Sequence, residues 1–245
     1  MRLVIAAMMM SGCSDSSGGA KTDAPLAQAS SIVSVLQLQG TSYAAADASF
    51  GTRPATSTTL GTDGACTAVE MATGSLTPGL SAGVVTVTTD QATATLAPSG
   101  SPPAYMTAPL PRPPFSPGAT VSASATGSSD VPAFALQTSA PSDIEGYTAP
   151  SSISRSAGYT ATWTAGTGED VLLTLRASHG GTDDVLQCDV ADTGSYAVPA
   201  SALVYLGTGS TATIQLRRSN TATDSASGVE LFVTTAVTAQ VALVP

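Results

Sequence analysis

The chain has 245 residues, of which Ala, Thr, Ser and Gly together supply 131. Large apolar residues are sparse, but a formal net charge of −9 is too weak to predict disorder, so the composition indicates a folded protein with little core material. The absence of a run of 18 apolar residues excludes a spanning helix, and 17 acidic against 8 basic residues argue against a nucleic-acid partner. One His and three Cys leave few groups for metal or nucleophilic chemistry.

The first thirteen residues have the pattern of an export signal. Residues 1–2 (MR) are a short basic start, and residues 3–10 (LVIAAMMM) form an apolar stretch of signal-peptide length. Residues 10–13 (MSGC) resemble the lipobox of bacterial lipoproteins, in which small residues precede a lipidated cysteine. The resemblance implies that residues 1–12 are a signal peptide and that Cys13 carries the lipid. An ordinary signal peptide and a chance N-terminal helix are the alternatives.

Residues 13–30 have the composition of a flexible tether. They are rich in Ser, Gly, Ala and Asp, which cannot bury a core. By analogy with bacterial sorting rules, Ser14 rather than Asp after Cys13 favours the outer membrane, with the periplasmic or surface face left open. We therefore expect a protein of the bacterial cell envelope that is held at a membrane by its lipid.

From residue 31 onward, the dominant signal is the alternation of apolar and polar residues, which predicts an all-β fold. In the second half of the chain, the predicted strands cover residues 159–163, 171–176, 212–217, 229–234 and 237–243. Weaker strands are predicted in the first half at 32–39, 66–72, 84–88, 92–97, 119–126 and 133–138. The Ala-rich segment 43–48 is the only helix candidate.

The spacing of the turn residues predicts two sandwich-like lobes. Residues 31–145 form the expected N-terminal β-rich lobe, and residues 146–245 have the length and strand number of an immunoglobulin-like sandwich. The Pro-rich residues 98–117 predict an exposed extended loop, because proline is excluded from central strands. This loop is either a plain connector or, alternatively, a binding platform built on Tyr105, Arg112 and Phe115.

Two cysteines remain after Cys13 is assigned to the anchor. In an oxidising compartment, Cys66 and Cys188 are candidates for a disulfide that ties the two halves of the chain together. Two separate buried thiols are the alternative.

Residues 114–245 contain several distinctive short strings: FSPG at 115–118, VPAF at 131–134, TATW at 160–163, LQC at 186–188 and VPA at 198–200. Through them, residues 114–245 resemble uncharacterised, myxobacterial-type secreted lipoproteins. The Trp-bearing strand and the Val-Pro step are also similar to Ser/Thr-rich immunoglobulin-like accessory domains. The resemblance implies an immunoglobulin-like C-terminal region and brings no catalytic residue with it.

The string Asp192-Thr193-Gly194-Ser195 admits three interpretations. It looks like the catalytic loop of aspartic proteases, which needs a second carboxylate to share a proton, and the nearest candidate is Asp224. It also fits the tyrosine corner of immunoglobulin folds, whose tyrosine hydroxyl bonds back to the backbone. The third and preferred interpretation is a hairpin turn between two strands.

Other candidate sites are weaker. His179 lies in a loop-like string and, as a single histidine, cannot anchor a zinc site or complete a triad. Calcium binding would need carboxylates that converge at one end of the sandwich, and the candidates are Glu169, Asp170, Asp183, Asp184, Asp189 and Asp192. No metal or cofactor is therefore expected.

Two further pairs have structural interpretations. Tyr159 and Trp163 share one face of a predicted strand, which favours core packing over a sugar-stacking surface. Arg217-Arg218 is interpreted as a charge pair on an edge strand, where charges discourage aggregation.

Together, these features predict a non-enzymatic, lipid-anchored envelope protein with a structural, adhesive or ligand-binding role. Its expected partners are the membrane, through the lipid, and a protein or carbohydrate ligand. A secreted hydrolase that uses Asp192 and a calcium-stabilised adhesion module are the alternatives.

Overall fold

The structure is a computed structural model, and it describes residues 31–51, 57–72, 79–168, 170–179, 182–207 and 210–245. The predicted signal peptide and tether, with Cys13, lie outside the described residues, as does Glu169. Among the described residues, no helix is long and apolar enough to cross a membrane.

The described chain is almost entirely β-structure, which confirms the predicted fold class. Its strands are β1 (Ser31–Leu38), β2 (Ala44–Ser49), β3 (Ser57–Asp63), β4 (Cys66–Ala72), β5 (Val85–Thr88), β6 (Thr93–Leu96), β7 (Pro98–Ser99), β8 (Ala104–Tyr105), β9 (Ala108–Pro109), β10 (Thr120–Ala125), β11 (Phe134–Ser139), β12 (Ser152–Ser154), β13 (Tyr159–Thr162), β14 (Asp170–His179), β15 (Thr182–Val190), β16 (Ser195–Val198), β17 (Thr211–Asp224) and β18 (Val229–Val244). The one described helix is α1 (Ala200–Leu203).

These strands form one large sheet and three small ones. The large sheet has the strand order β3-β4-β15-β14-β17-β18-β1-β2-β9, with β12 also paired to β18. A four-stranded sheet has the order β11-β10-β5-β6, and β13 with β16 and β7 with β8 form two-stranded sheets.

The β17–β18 hairpin runs through the middle of the large sheet and connects two hydrophobic cores. The four-stranded sheet packs against the end of the hairpin near its turn, forming a first core that includes Val229 and Leu231. The opposite end of the hairpin contributes Ile214 and Leu216 to a second core, which also contains the β13–β16 pair and α1. The predicted alternation explains both cores, because apolar residues at every second position share one face of the hairpin.

A row of polar side chains lies between the two cores. Gln37 of β1 is in register with Thr235 of β18, which is in register with Arg218 of β17. Gln37 is 5% exposed, Thr235 is 0% exposed and Arg218 is 1% exposed. The face that is apolar at both ends of the hairpin is therefore polar in the middle.

Strand pairing crosses the predicted boundary near residue 145. β1 pairs in parallel with β18 along its whole length, and β4 pairs with β15. Strands from the first half therefore flank strands from the second half, and residues 146–245 alone do not make up a separate pair of sheets.

One local prediction is wrong and another is incomplete. The helix candidate at 43–48 is strand β2, because backbone pairing with β1 and the burial of its alanines outweigh the helix propensity of Ala. The Pro-rich segment is not simply an exposed loop, because β9 extends the large sheet and Phe115 is 2% exposed in the first core. Tyr105 is also held inward, since its hydroxyl donates to the carbonyl of Gly83 at 2.7 Å, so the three proposed platform residues share no common surface.

Candidate functional site

Asp192 lies in the segment between β15 and β16, and this segment is not a hairpin turn. β15 pairs with β14 and β4, whereas β16 pairs with β13 in a different sheet. The chain therefore crosses from one layer to the other at Asp192, and Gly194 provides the positive φ of 91° in this crossing. The hairpin interpretation is wrong because turn-forming residues specify a change of direction and not the partner of the next strand.

The Asp192 carboxylate is almost fully enclosed by donors. Its Oδ1 accepts hydrogen bonds from the indole Nε1 of Trp163 at 2.7 Å and from Nη2 of Arg218 at 3.1 Å. Its Oδ2 accepts from the backbone N–H of Gly166 at 3.0 Å and lies 2.8 Å from Nε of Arg218. The Asp192 side chain is only 7% exposed. The arrangement is a buried, charge-assisted ion pair in which Arg218, Trp163 and Gly166 each donate a hydrogen bond to the carboxylate.

Arg218 connects this carboxylate to two other chain segments. Its Nη1 donates to the backbone carbonyl of Asp143 at 2.6 Å, and its Nη2 donates to the carbonyl of Thr164 at 2.7 Å. A Cβ built on Gly168 would lie 2.2 Å from Cγ of Arg218, and one built on Gly166 would lie 2.4 Å from Cζ. Both positions require glycine because the backbone packs directly against the arginine side chain.

The pKa of Asp192 follows from these contacts. Burial acts to raise the pKa of the carboxyl group. The hydrogen bonds from Arg218, Trp163 and Gly166, together with the charge of Arg218, outweigh burial and hold the pKa below its ordinary value. Asp192 is therefore an ionised structural group at neutral pH.

The structure does not bring Asp192 and Asp224 together. Asp224 lies at the β17–β18 turn, where its carboxylate accepts from the backbone N–H groups of Ala226 and Ser227. It is six residues along β17 from Arg218, the partner of Asp192, which corresponds to about 20 Å of extended chain. The described residues thus supply Asp192 with a guanidinium, an indole and an amide, and not with the second carboxylate of a protease dyad.

The tyrosine-corner interpretation is also wrong. The hydroxyl of Tyr196 lies 3.3 Å from Sγ of Cys66. Because this sulfur is in a disulfide and carries no hydrogen, the hydroxyl is the donor. The bond therefore runs to a side chain on another sheet, and not back to the neighbouring backbone.

The predicted disulfide between Cys66 and Cys188 is present. The two residues are in register on β4 and β15, and both are fully buried in the second core. The bond joins residues 122 positions apart in sequence, and so connects the two halves of the chain within one sheet.

Among the described residues, the calcium candidates are not gathered into one site. Asp183 is paired with Arg176, and Asp184 accepts the backbone N–H of Gly207 at 2.6 Å. Asp189 is six residues from Asp183 on the same strand, about 20 Å away. Burial raises the pKa of Asp189, and this effect is partly offset by the charge of Arg217. Among the described residues, no three His, Cys, Asp or Glu side chains are grouped to hold a metal ion.

The remaining sequence candidates have structural positions. His179 is the last residue of β14, opposite Thr182, and its side chain is outside the described part. Trp163 is 6% exposed in the second core, so the prediction of core packing is confirmed. The edge-strand interpretation of Arg217 and Arg218 is wrong, because β17 is central and Arg218 is buried.

Sequence reasoning missed an open cavity of about 600 Å³ beside the polar row. It is lined by Gln37, Thr41, Ser42, Arg112, Pro113 and Asp143. These residues come from three stretches that are far apart in sequence, namely residues 37–42, 112–113 and 143. The available signal was Gln37, which interrupts the apolar face that Val33 and Val35 form on β1.

Comparison of the chain with models of protein families, with curated proteins and with solved structures finds no match.

Proposed function

We propose that this chain is a lipid-anchored protein of the bacterial cell envelope with a non-enzymatic structural, adhesive or ligand-binding role. The observation that carries the proposal is that the carboxylate of Asp192 is bound within the fold. This residue has the most catalytic-looking sequence context in the chain, and its carboxylate is enclosed by Arg218, Trp163 and Gly166 at the junction of two cores. An aspartate held in this way stabilises the fold, whereas a catalytic acid or base must reach a substrate.

The disulfide supports export. Disulfides persist in oxidising compartments such as the bacterial periplasm and cell surface, and are rare in the cytosol. The bond between Cys66 and Cys188 therefore agrees with the signal pattern that ends at Cys13.

The anchor is tested by expressing the full chain in a Gram-negative host and measuring the mass of its N-terminal peptide. We expect an acylated Cys13, fractionation with the outer membrane, and release of a Cys13→Ala variant from that fraction. A Ser14→Ala variant is the matched control and should be acylated normally. An N-terminus other than acylated Cys13 would refute the lipoprotein proposal.

The non-enzymatic role is tested by peptide cleavage. The purified full chain and an Asp192→Asn variant, each shown to be folded by circular dichroism, are incubated with a mixed peptide library across acidic and neutral pH. We expect no cleavage by either protein. Cleavage that disappears in the variant would establish the hydrolase alternative. The calcium alternative predicts a melting temperature that falls when a chelator is added, and we expect no change.

A further inference from the structure

The polar row between the two cores includes a buried hydroxyl that has no partner among the described residues. Gln37 is 5% exposed, and no hydrogen bond joins its side-chain amide to any described residue. Its neighbour in register, Thr235, is 0% exposed, and its hydroxyl Oγ1 also has no partner among the described residues. Buried polar groups are normally hydrogen-bonded, and each unmet group costs about 1–3 kcal/mol. The Thr235 hydroxyl is therefore unmet among the described residues, and the Gln37 amide beside it is available to a ligand at the cavity.

Gln37 is the one buried residue among those that line the cavity of about 600 Å³. The other lining residues are exposed and surround it at the rim. A ligand in this open cavity would therefore contact Gln37 together with the exposed lining residues and remain open to solvent.

The rim carries one positive and one negative side chain, and neither is used by the fold. Neither the Arg112 guanidinium nor the Asp143 carboxylate makes a hydrogen bond or an ion pair with a described residue, although the backbone carbonyl of Asp143 accepts from Arg218. The Ser42 hydroxyl, which also lines the cavity, likewise makes no hydrogen bond with a described residue. Of the polar lining side chains, Thr41 alone is engaged, since its hydroxyl donates to the carbonyl of Leu38 at 2.9 Å.

We propose that this cavity binds a small zwitterion, a free α-amino acid or a short peptide, with its carboxylate on Arg112, its ammonium on Asp143 and its amide or side-chain polar group on Gln37. A guanidinium binds a carboxylate through two parallel N–H donors, and a carboxylate accepts from an ammonium group. A primary amide both donates and accepts, as the peptide group does, so Gln37 matches a peptide bond. The lining contains no aromatic residue, which disfavours a sugar that needs a stacking surface.

This proposal deepens the ligand-binding role given above and does not depend on the lipid anchor. The probe is glycylglycine, titrated into the ¹⁵N-labelled full chain in detergent and followed by NMR. We expect chemical-shift changes confined to residues 37–43, 110–113 and 142–144. Glycylglycinamide and N-acetylglycylglycine, which each lack one charge, should bind about fivefold more weakly or worse. Glucose should cause no change.

Exposed-residue variants connect each ligand charge to its partner. In Arg112→Gln the preference for glycylglycine over glycylglycinamide should disappear, and in Asp143→Asn the preference over N-acetylglycylglycine should disappear. Glu145→Gln, two residues from Asp143 and outside the lining, is the matched control and should bind as the unchanged chain does. No shift with glycylglycine, shifts at another surface, preferences that survive both substitutions, or binding of glucose at these residues would each overturn the proposal. None of these outcomes affects acylation of Cys13, so failure here is distinguishable from failure of the anchor.

Discussion

Replacing Asp192 with Asn removes one negative charge and changes almost nothing in shape. The new side chain still has an oxygen that accepts from the indole of Trp163 or from Arg218. Its –NH₂ group, however, must face the Gly166 N–H and the Nε of Arg218, both of which are donors. The substitution therefore leaves Arg218, at 1% exposure, as a buried charge without its counter-ion.

The expected magnitude follows from this geometry. Removing one partner of a buried pair costs about 3–5 kcal/mol, because the remaining charge stays desolvated. Arg218 keeps its bonds to the carbonyls of Asp143 and Thr164, which offset part of this cost. We therefore expect Asp192→Asn to lower the free energy of unfolding by about 3 kcal/mol.

Urea unfolding at neutral pH, followed by Trp163 fluorescence, measures this loss. The exposed Glu145→Gln serves as the control and should stay within about 0.5 kcal/mol of the unchanged chain. The double variant Asp192→Asn with Arg218→Met should recover stability, because it removes both charges from the interior. A loss below about 1 kcal/mol, or a double variant as unstable as the sum of its two single variants, would refute the structural role of the pair.

Three further predictions concern the same region. The pKa of Asp192 is lower in the folded chain than in the unfolded chain, so the unfolded chain binds more protons in acid. The free energy of unfolding should therefore fall as the pH drops below about 4. The fall should be smaller in Asp192→Asn, and urea unfolding at several pH values measures the difference. Gly168→Ala places a Cβ against Arg218 and should lower the free energy of unfolding by about 1–3 kcal/mol. The loss should be smaller in an Arg218→Met background. Equal losses in the two backgrounds would contradict the contact between residue 168 and Arg218. Replacing Cys66 and Cys188 together by Ala should cost about 4 kcal/mol, and the loss should match the effect of reducing the unchanged protein, as thermal unfolding with and without reductant would show.

Local alternation in the sequence predicts most of the strands. The predicted strand 66–72 coincides with β4, and those at 84–88, 92–97, 119–126 and 133–138 differ from β5, β6, β10 and β11 by one or two residues at their ends. The agreement has a physical reason. A strand with one buried face needs an apolar residue at every second position, and that requirement is visible in a few consecutive residues.

The same alternation predicts only part of the site at Asp192 and Arg218. The alternation that places Ile214 and Leu216 inside also places Arg218 inside, so the sequence does mark a buried cation. It does not reveal that Asp192, 26 residues away, is the counter-ion, or that Trp163 and Gly166 complete the shell. The partner of a buried charge depends on which layers meet, and that information is not local.

The sequence by itself determined that the chain is a β-protein and which face of most strands is apolar, and it offered Cys66 and Cys188 as candidates for a disulfide. The tertiary structure alone decided that β1 lies parallel to β18, that the strands of the two halves share one sheet, and that the chain at Asp192 crosses between layers. Backbone ladder bonds are the same for every residue type, so side chains specify the face of a strand far better than they specify its neighbour. The cavity at Gln37 has the same origin, because its lining comes from three stretches that are far apart in sequence and adjacent only in the tertiary structure.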